Sequence, residues 1–258
     1  MVLTIDVGNS NIVLGGYQND KICFLARIAT NRHLEADQYA LELRGILELY
    51  GVEQKSIKGI AISSVVPVVT PLLVQALAHF TNAKPLVLCL ANAGNLRIDI
   101  EQPEELGMDL LASALATYHS YPLPAAIIDM GTATKITALD ADGVLRGVSI
   151  APGLFVSLEA LVGGASLLKG IALNAPNTPA AIGRNTAKSM QSGLLLGTAD
   201  MLDGLLDRFA AEMGPLATIV ATGGGAPLVI AHCRHKIDFV DTLLLDGLYW
   251  AYRQNKGE

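Results

Sequence analysis

Two stretches decide the fold of this chain: VLTIDVGNSN at residues 2–11 and AAIIDMGTAT at residues 125–134. Each is an apolar run that ends in an Asp-x-Gly turn, and the aspartates, Asp6 and Asp129, stand 123 positions apart, close to half of the 258 residues. Apolar runs resume after each turn, which predicts two further strands in each half, joined by tight turns. These strands are predicted at 12–16 and 22–28 in the first half and at 136–139 and 144–150 in the second, with a turn at Asp142-Gly143.

The segments around these hairpins alternate between helical and strand patterns. Apolar periodicity, or proline in a first turn, predicts helices at 36–49, 71–80, 106–119, 154–161 and 185–212, another from about 227, and a closing helix to about 253. Short buried strands are predicted at 59–63, 85–90, 217–221 and 237–240. Strands followed by helices, occurring twice, predict two α/β domains with an interdomain cleft. We place the boundary in the Pro-Leu-Pro sequence at 122–124, which gives domains 1–121 and 122–258; helix 106–119 fits either one.

Composition limits the classes of function. Hydrophobic residues make up 51% and charged residues 16% of the chain, which argues against disorder, and a net charge of -6 gives no electrostatic reason to expect nucleic acid. The most apolar segment, 65–77, is interrupted by Pro67 and Pro71 and is too short for a membrane span. Asp6 comes too early for a signal peptide, and three unpaired cysteines indicate no disulfide framework. We expect a cytoplasmic protein that binds neither nucleic acid nor membrane.

The two Asp-x-Gly turns are the main candidates for binding chemistry. Glycine lets the backbone approach a ligand closely, so the N–H groups of 8–11 and 131–133 can form a concavity for anions. Side chains of Asn9, Ser10, Thr132 and Thr134 add donors for phosphate oxygens, and Asp6 and Asp129 can hold a cation against the phosphates. A single turn of this kind is more often an ordinary hairpin. The occurrence of two in equivalent places favours a functional reading.

Three further features of the sequence bear on this hypothesis. The sequence ATGGGA at 221–226 follows a predicted strand and precedes a helix, an arrangement that suits adenosine or a phosphate at a helix N-terminus, whereas a structural turn needs only one glycine. Neither the P-loop nor the dinucleotide fingerprint is present. Asp109 begins a periodic helix, where its residue type alone favours an N-terminal cap. Arg27, Arg32 and His33 are within reach of a phosphate, although a solvated loop is the simpler interpretation.

Five short sequences carry a resemblance to a known family. They are DVGNS at 6–10, GMD at 107–109, DMGTAT at 129–134, IAPG at 150–153 and IGRNT at 182–186. In this order they resemble type III pantothenate kinases, which belong to the acetate and sugar kinase, Hsp70 and actin superfamily. The resemblance implies two duplicated ribonuclease H-like (actin-like ATPase) domains. It also implies transfer of a phosphoryl group from ATP, with Mg²⁺ and a monovalent cation (K⁺ or NH₄⁺), to the hydroxyl of pantothenate, the first step of coenzyme A biosynthesis, by a homodimer.

The resemblance also implies roles for individual residues. Asp109 would be the general base, and Asp129 would help to bind the monovalent cation. Thr186 would contact pantothenate from the partner subunit. ATP would be bound by Asp6, Val7, Gly8, Asn9, Ser10, Asn11, Ile12, Val13, Gly131, Thr132, Gly223 and Gly224. Pantothenate would be bound by Gly107, Met108, Asp109, Leu110 and Thr186. These roles suit phosphoryl transfer, which needs positioned reactants, neutralised phosphate charge and one carboxylate that orients the attacking hydroxyl.

The departures from the family pattern cluster on the pantothenate side. Leu110 stands where the family has arginine, and Ile100 where it commonly has tyrosine. Gly147-Val148 stands where the family has two glycines, and the family sequence Thr-Ala-x-Leu-Pro is only partly matched at 165–169. Loss of an arginine from a carboxylate site removes a charge-assisted bond worth about 1.5–3 kcal/mol. Two alternatives therefore stay open. One is a superfamily kinase or phosphatase for another small substrate, and the other is a nucleotide-binding regulator without turnover.

Overall fold

A computed structural model of the chain describes residues 1–163, 172–173 and 179–257. Residues 165–169, where the family sequence is only partly matched, lie outside the described residues. The strands are β1 Val2–Val7, β2 Asn11–Gln18, β3 Lys21–Ala29, β4 Gly59–Ser64, β5 Pro85–Val87, β6 Arg97–Ile98, β7 Ala125–Met130, β8 Ala133–Leu139, β9 Val144–Pro152, β10 Thr218–Thr222 and β11 Asp238–Phe239. The α-helices are α1 Ala36–Leu49, α2 Thr70–Ala78, α3 Met108–Ser120, α4 Leu154–Gly163, α5 Thr186–Gln191, α6 Gly197–Met213, α7 Ala226–Val229 and α8 Leu243–Lys256.

The chain divides into two compact units. The first unit comprises Met1–Leu96, Glu101–Ser120 and Thr242–Glu258, and the second comprises Arg97–Ile100 and Tyr121–Asp241. These units differ from the predicted domains in two segments, because α8 is part of the first unit and the short strand β6 is part of the second. Helix α3, which the sequence left unassigned, belongs to the first unit.

The first unit is built on one mixed sheet with helices on both faces. Its strand order is β3-β2-β1-β4-β5, in which β2 is antiparallel to its neighbours and β4 and β5 run parallel to β1. Alternation in β1 sends Leu3, Ile5 and Val7 to one face, where they form a core with buried residues of α1 and α2. Helix α8 packs against β1 and β4 and lies along α3. Thr4 and Asp6 point to the face opposite the Leu3 core.

The second unit repeats this topology. Its strand order is β11-β10-β7-β8-β9-β6, so β7, β8, β9, β10 and β11 correspond to β1–β5 in order and direction, with β6 added at the edge. Ala126, Ile128 and Met130 pack against buried residues of α6 and α7. The predicted duplication and its ribonuclease H-like, actin-like topology are confirmed.

Two predicted helices of the second unit differ from the structure. The helix predicted at 185–212 is divided into α5 and α6 by a π-helical turn at Ser192–Leu196. Gly193 and Gly197 lie in or beside this turn, where their low helix propensity favours such an irregularity. The helix predicted from about 227 is only the single turn α7, followed by a 3₁₀ turn at Ile230–His232. Both segments remain helical, but their hydrogen-bond spacing changes.

Candidate active site

The first Asp-x-Gly turn joins β1 to β2 at the end of the first sheet. The N–H of Gly8 donates to the carbonyl of Asn11 at 2.9 Å and closes the turn, which leaves Asn9 and Ser10 exposed. Val7 and Ile12, two of the predicted ATP-binding residues, are fully buried. They can therefore contact a ligand only through their backbone groups. The exposed polar residues and the backbone N–H groups of this turn form a surface that suits phosphate oxygens.

The segment that follows β3 supports this turn. Thr30 binds it twice: its hydroxyl donates to the Gly8 carbonyl at 2.6 Å and its N–H donates to the Ser10 carbonyl at 3.0 Å. Arg32 donates from Nη2 to Asn9 Oδ1 at 2.8 Å. Arg32 is exposed, as expected for a loop residue, but it is also bonded to the candidate phosphate turn. Asn11 pairs with Ala29 across β2 and β3, and this register places residues 30–32 beside the turn.

A buried hydroxyl lies beside Asp6 at the same end of the sheet. Asp6 of β1 is in register with Ser63 of the parallel strand β4, so both side chains point to one face. Ser63 is fully buried, and its Oγ has no hydrogen-bond partner among the described residues. A buried polar group of this kind is normally satisfied, so its position at the carboxyl ends of parallel strands fits a site that a polar ligand completes. Ser63 is not among the site residues predicted from the sequence, although polar residues at the end of an otherwise apolar strand are a signal.

The second Asp-x-Gly turn is shorter and is braced by a distant glycine. The N–H of Gly131 donates to the carbonyl of Ala133 at 3.1 Å, and Gly131 and Thr132 are exposed at the tip. Gly153 donates its N–H to the Thr132 carbonyl at 3.1 Å, and a Cβ on Gly153 would overlap the carbonyl oxygens of Gly131 and Thr132. Position 153 therefore requires glycine, which explains this part of the IAPG sequence. Thr134 is buried, and its hydroxyl has no partner among the described residues.

The glycine cluster at 223–225 lies directly against the second turn. Gly225 donates its N–H to the Met130 carbonyl at 3.0 Å. Gly223 has φ +90°, and a Cβ there would lie 2.7 Å from the carbonyl carbon of Met130, so only glycine fits. Gly224 is exposed, and open space lies where its Cβ would be. The structure thus brings Gly223 and Gly225 against Met130, which directly precedes Gly131 and Thr132, and leaves Gly224 open to solvent.

Asp129 forms an ion pair within the second sheet. Its Oδ2 lies 2.6 Å from Lys135 Nζ, and the two side chains are 13% and 15% exposed. Asp129 and Lys135 are direct cross-strand partners in β7 and β8. A second monovalent cation about 4 Å from this ammonium would be repelled by about 4 kcal/mol at an effective dielectric constant near 20. The residues at Asp129 therefore do not fit an additional monovalent cation, whereas the glycine surfaces and buried hydroxyls described above do fit a nucleotide phosphate.

Asp109 lies in the first turn of α3. The helix begins at Met108, so Asp109 follows its first residue, and Asp109 Oδ1 accepts a hydrogen bond from the N–H of Leu110 at 2.8 Å. A carboxylate in a first helical turn is stabilised by the helix dipole. A Cβ on Gly107 would overlap Asp109 Oδ1, so glycine at this position leaves room for the carboxylate to fold back over the start of the helix.

The remaining predicted substrate residues differ in exposure. Leu110 is 7% exposed and packs in the first unit, while Met108 is half-buried. Thr186 is exposed at the start of α5, where Asn185 caps the helix by accepting the Lys188 N–H at 2.9 Å. Thr186 belongs to the second unit and the other substrate residues to the first. A guanidinium at position 110 would have to enter space now filled by an apolar side chain.

The two repeated sheets, each ending in an Asp-x-Gly turn, define a protein of the actin-like ATPase fold. The described part of the chain contains no helix with the length and apolar character needed to cross a membrane. A solved structure, component A of (R)-2-hydroxyglutaryl-CoA dehydratase from Acidaminococcus fermentans, covers 99% of this chain and 98% of its own with a TM-score of 0.56 at 16% identity. At that identity the likeness supports the fold alone.

Sequence comparison identifies the family. The family profile described as type III pantothenate kinase matches residues 2–208. The type III pantothenate kinase of Roseiflexus sp. (strain RS-1) is 38% identical over 256 residues, 99% of this chain and 100% of the relative. That of Moorella thermoacetica has the same identity and coverage. The chain belongs to the type III pantothenate kinase family, whose members phosphorylate pantothenate in coenzyme A biosynthesis.

Proposed function

We propose that this protein transfers the γ-phosphoryl group of ATP to the hydroxyl of pantothenate, giving 4′-phosphopantothenate in the cytoplasm. The observation that carries the proposal is the match to type III pantothenate kinases along 99% of the chain. The retention of both Asp-x-Gly turns and of the Gly-x-Asp sequence at 107–109 supports it further.

In this proposal ATP, with Mg²⁺, supplies the phosphoryl group and the charge neutralisation that the reaction needs. The exposed backbone at Asn9, Ser10 and Thr132, in turns that the Gly8 and Gly131 N–H groups close, would bind phosphate oxygens, and Asp6 would face the metal. The open surface above Gly224 suits the adenosine, because no side chain obstructs it. The rigidity of both turns, fixed by Thr30 and Gly153, favours phosphate binding without reorganisation.

Asp109 would act as the general base. At the start of α3 its carboxylate accepts the Leu110 N–H and lies at the positive end of the helix dipole, which holds it in place as an acceptor. An ionised carboxylate can accept the proton of the pantothenate hydroxyl as the oxygen attacks the γ-phosphorus. Gly107 gives that carboxylate the space it occupies.

Pantothenate would contact Gly107, Met108 and Leu110, with Thr186 contributed by a second copy of the chain. An exposed Thr186 is compatible with such a contribution. The second unit also exposes several large apolar side chains on β9 and α4, among them Ile150, Phe155 and Leu161, which suits a homodimer interface. The monovalent cation that the resemblance implies does not fit at Asp129, because Lys135 already places an ammonium beside this carboxylate.

A kinase for another small alcohol is the second candidate. The observation that favours it is Leu110, a buried apolar side chain where the family pattern has arginine. A substrate without a carboxylate loses nothing at this position, whereas pantothenate loses a charge-assisted bond. Phosphate transfer from radiolabelled ATP to a panel of alcohols that includes pantothenate separates the two candidates.

The same assay tests Asp109. Asp109→Asn keeps the shape of the side chain and removes its basicity, so the rate of pantothenate phosphorylation should fall by about 10²–10⁴-fold. ATP affinity, measured by calorimetry, should remain unchanged. Glu105→Gln, which neutralises an exposed carboxylate in the preceding turn, is the matched control and should retain the parent rate. A folded Asp109→Asn protein with the parent rate would show that Asp109 is not the base.

A further inference from the structure

The ion pair between Asp129 and Lys135 is built into the sheet of the second unit. The residues face each other directly across the antiparallel strands β7 and β8, and the backbone register fixes their side chains on one face. The 2.6 Å separation of Oδ2 and Nζ is a direct charge-assisted contact, and both side chains are largely shielded from water. The ammonium is therefore a fixed feature of the second Asp-x-Gly turn.

The first unit supplies an internal comparison. Asp6 occupies the position of Asp129 in the repeated topology, and its cross-strand partner is Val13. The same sheet position thus carries an apolar side chain in one half and a lysine in the other. The ribonuclease H-like hairpin does not need a cation at this point in order to fold. A shielded ion pair contributes little net stability, because desolvation of both charges offsets their attraction. The lysine therefore calls for an explanation other than folding.

We propose that Lys135 Nζ takes the place of the monovalent cation at Asp129, so that catalysis by this protein is independent of K⁺ and NH₄⁺. The inference rests on the proposed kinase function, within which Asp129 lies beside the nucleotide phosphates. A lysine ammonium and a bound NH₄⁺ present the same charge and the same kind of N–H donor to a carboxylate. Because the Lys135 ammonium is part of the chain, its charge is present in any salt solution, and it repels any further cation.

The first test compares the parent with Lys135→Met, which keeps the length of the side chain and removes its charge. Phosphorylation rates are measured in Na⁺, K⁺ and NH₄⁺ chlorides at constant ionic strength. The parent should vary by less than about 2-fold, whereas the variant should lose about 10²-fold or more in Na⁺, the usual effect of removing one preorganised charge. K⁺ or NH₄⁺ should restore much of that loss. Lys236→Met, which alters a 92% exposed lysine of the same unit, should behave like the parent.

A second measurement does not depend on turnover. Thallium(I), a K⁺ mimic with an NMR signal, is titrated into each protein in the presence of Mg²⁺ and a non-hydrolysable ATP analogue. Lys135→Met should bind Tl⁺ in competition with K⁺, and the parent should not. A parent that needs K⁺ for turnover or binds Tl⁺ at this site would overturn the inference, as would a folded variant that binds no Tl⁺. A parent that phosphorylates no pantothenate in any salt would overturn the proposed function, while the Tl⁺ comparison would still decide the role of Lys135.

Discussion

At the scale of the single residue, Cys233 illustrates how the fold sets chemical reactivity. Its thiol lies against the carbonyl groups of Ala199 and Val229, at 3.9 and 3.8 Å, whereas Cys23 and Cys89 are exposed. Burial, together with the charges of Asp203 and Asp200, raises the pKa of Cys233 to about 12. Since the thiolate is the reactive form, Cys233 is almost entirely in its unreactive thiol form at pH 8.

We therefore expect iodoacetamide at pH 8 to modify Cys23 and Cys89 at least about 100-fold faster than Cys233, because both exposure and thiolate fraction disfavour Cys233. Peptide mass spectrometry over time measures the three rates in one sample. Modification in denaturant, where all three thiols are exposed, is the control and should remove the difference. Equal rates in the folded protein would contradict the burial of this thiol.

The residues that the sequence alone identified are those whose role follows from local pattern. Gly8 and Gly131 close tight turns, and an Asp-x-Gly sequence between apolar runs is a local signal. Lys135, Ser63 and Gly153 were missed as site residues because their roles depend on pairing across strands or on segments far apart in the chain. The second hairpin loop is one residue shorter than the first, and only the observed register shows that Lys135, rather than a neighbour, faces Asp129.

At the scale of the element, α3 and α8 pack closely against each other in the first unit. Gly247 of α8 lies so close to α3 that a Cβ at this position would overlap the carbonyl of Ala112. Gly45 of α1 also lies within a helix of this unit, but it is exposed, and nothing lies within 4 Å of the position of its Cβ. Substitution of these two glycines by alanine therefore separates the effect of helix packing from that of helix propensity within one unit.

Gly247→Ala should lower the free energy of unfolding by about 1–3 kcal/mol, because a backbone carbonyl cannot move aside and the helices must separate. Gly45→Ala should raise it by about 0.5–1 kcal/mol through helix propensity alone. Urea unfolding followed by circular dichroism measures both. A Gly247→Ala protein as stable as the Gly45→Ala protein would show that α3 and α8 do not approach each other this closely.

Most elements could be predicted because alternation and periodicity are properties of short segments. Strands β1, β2 and β3 and helix α1 lie where their apolar patterns indicate. The division of helix 185–212 could not be predicted, since a π turn changes hydrogen-bond spacing without altering the apolar pattern. Helix α7 is one turn long and continues as a 3₁₀ turn, a change of hydrogen-bond spacing that the apolar pattern likewise does not show.

At the scale of the whole molecule, the duplication was visible in the sequence, but the path of the chain end was not. Two Asp-x-Gly hairpins in equivalent places predict two similar sheets. The final helix α8, however, follows the second sheet in sequence and packs in the first unit, against β1, β4 and α3. Its amphipathic pattern shows that it packs on a core without showing which one. The first unit is therefore built from both ends of the chain.

The proposed homodimer is the remaining property of the whole molecule. Phe155 on α4 is 45% exposed and lies near exposed Ile150 and Leu161 in sequence, a distribution that favours an interface in the second unit. Leu41 on α1 of the first unit is 64% exposed and provides a matched control, because it too is an apolar residue on a helix surface.

Sedimentation at micromolar concentration should give about twice the 27.1 kDa of one chain. Phe155→Glu should shift the protein towards the monomer, because a charge at the centre of an apolar contact must be desolvated without a partner. Leu41→Glu should leave the mass unchanged. If Thr186 acts across the interface, Phe155→Glu should also raise the KM for pantothenate more than the KM for ATP, whereas Leu41→Glu should alter neither. A parent that is monomeric at full activity would rule out the shared site, and a dimeric Phe155→Glu protein would place the interface elsewhere.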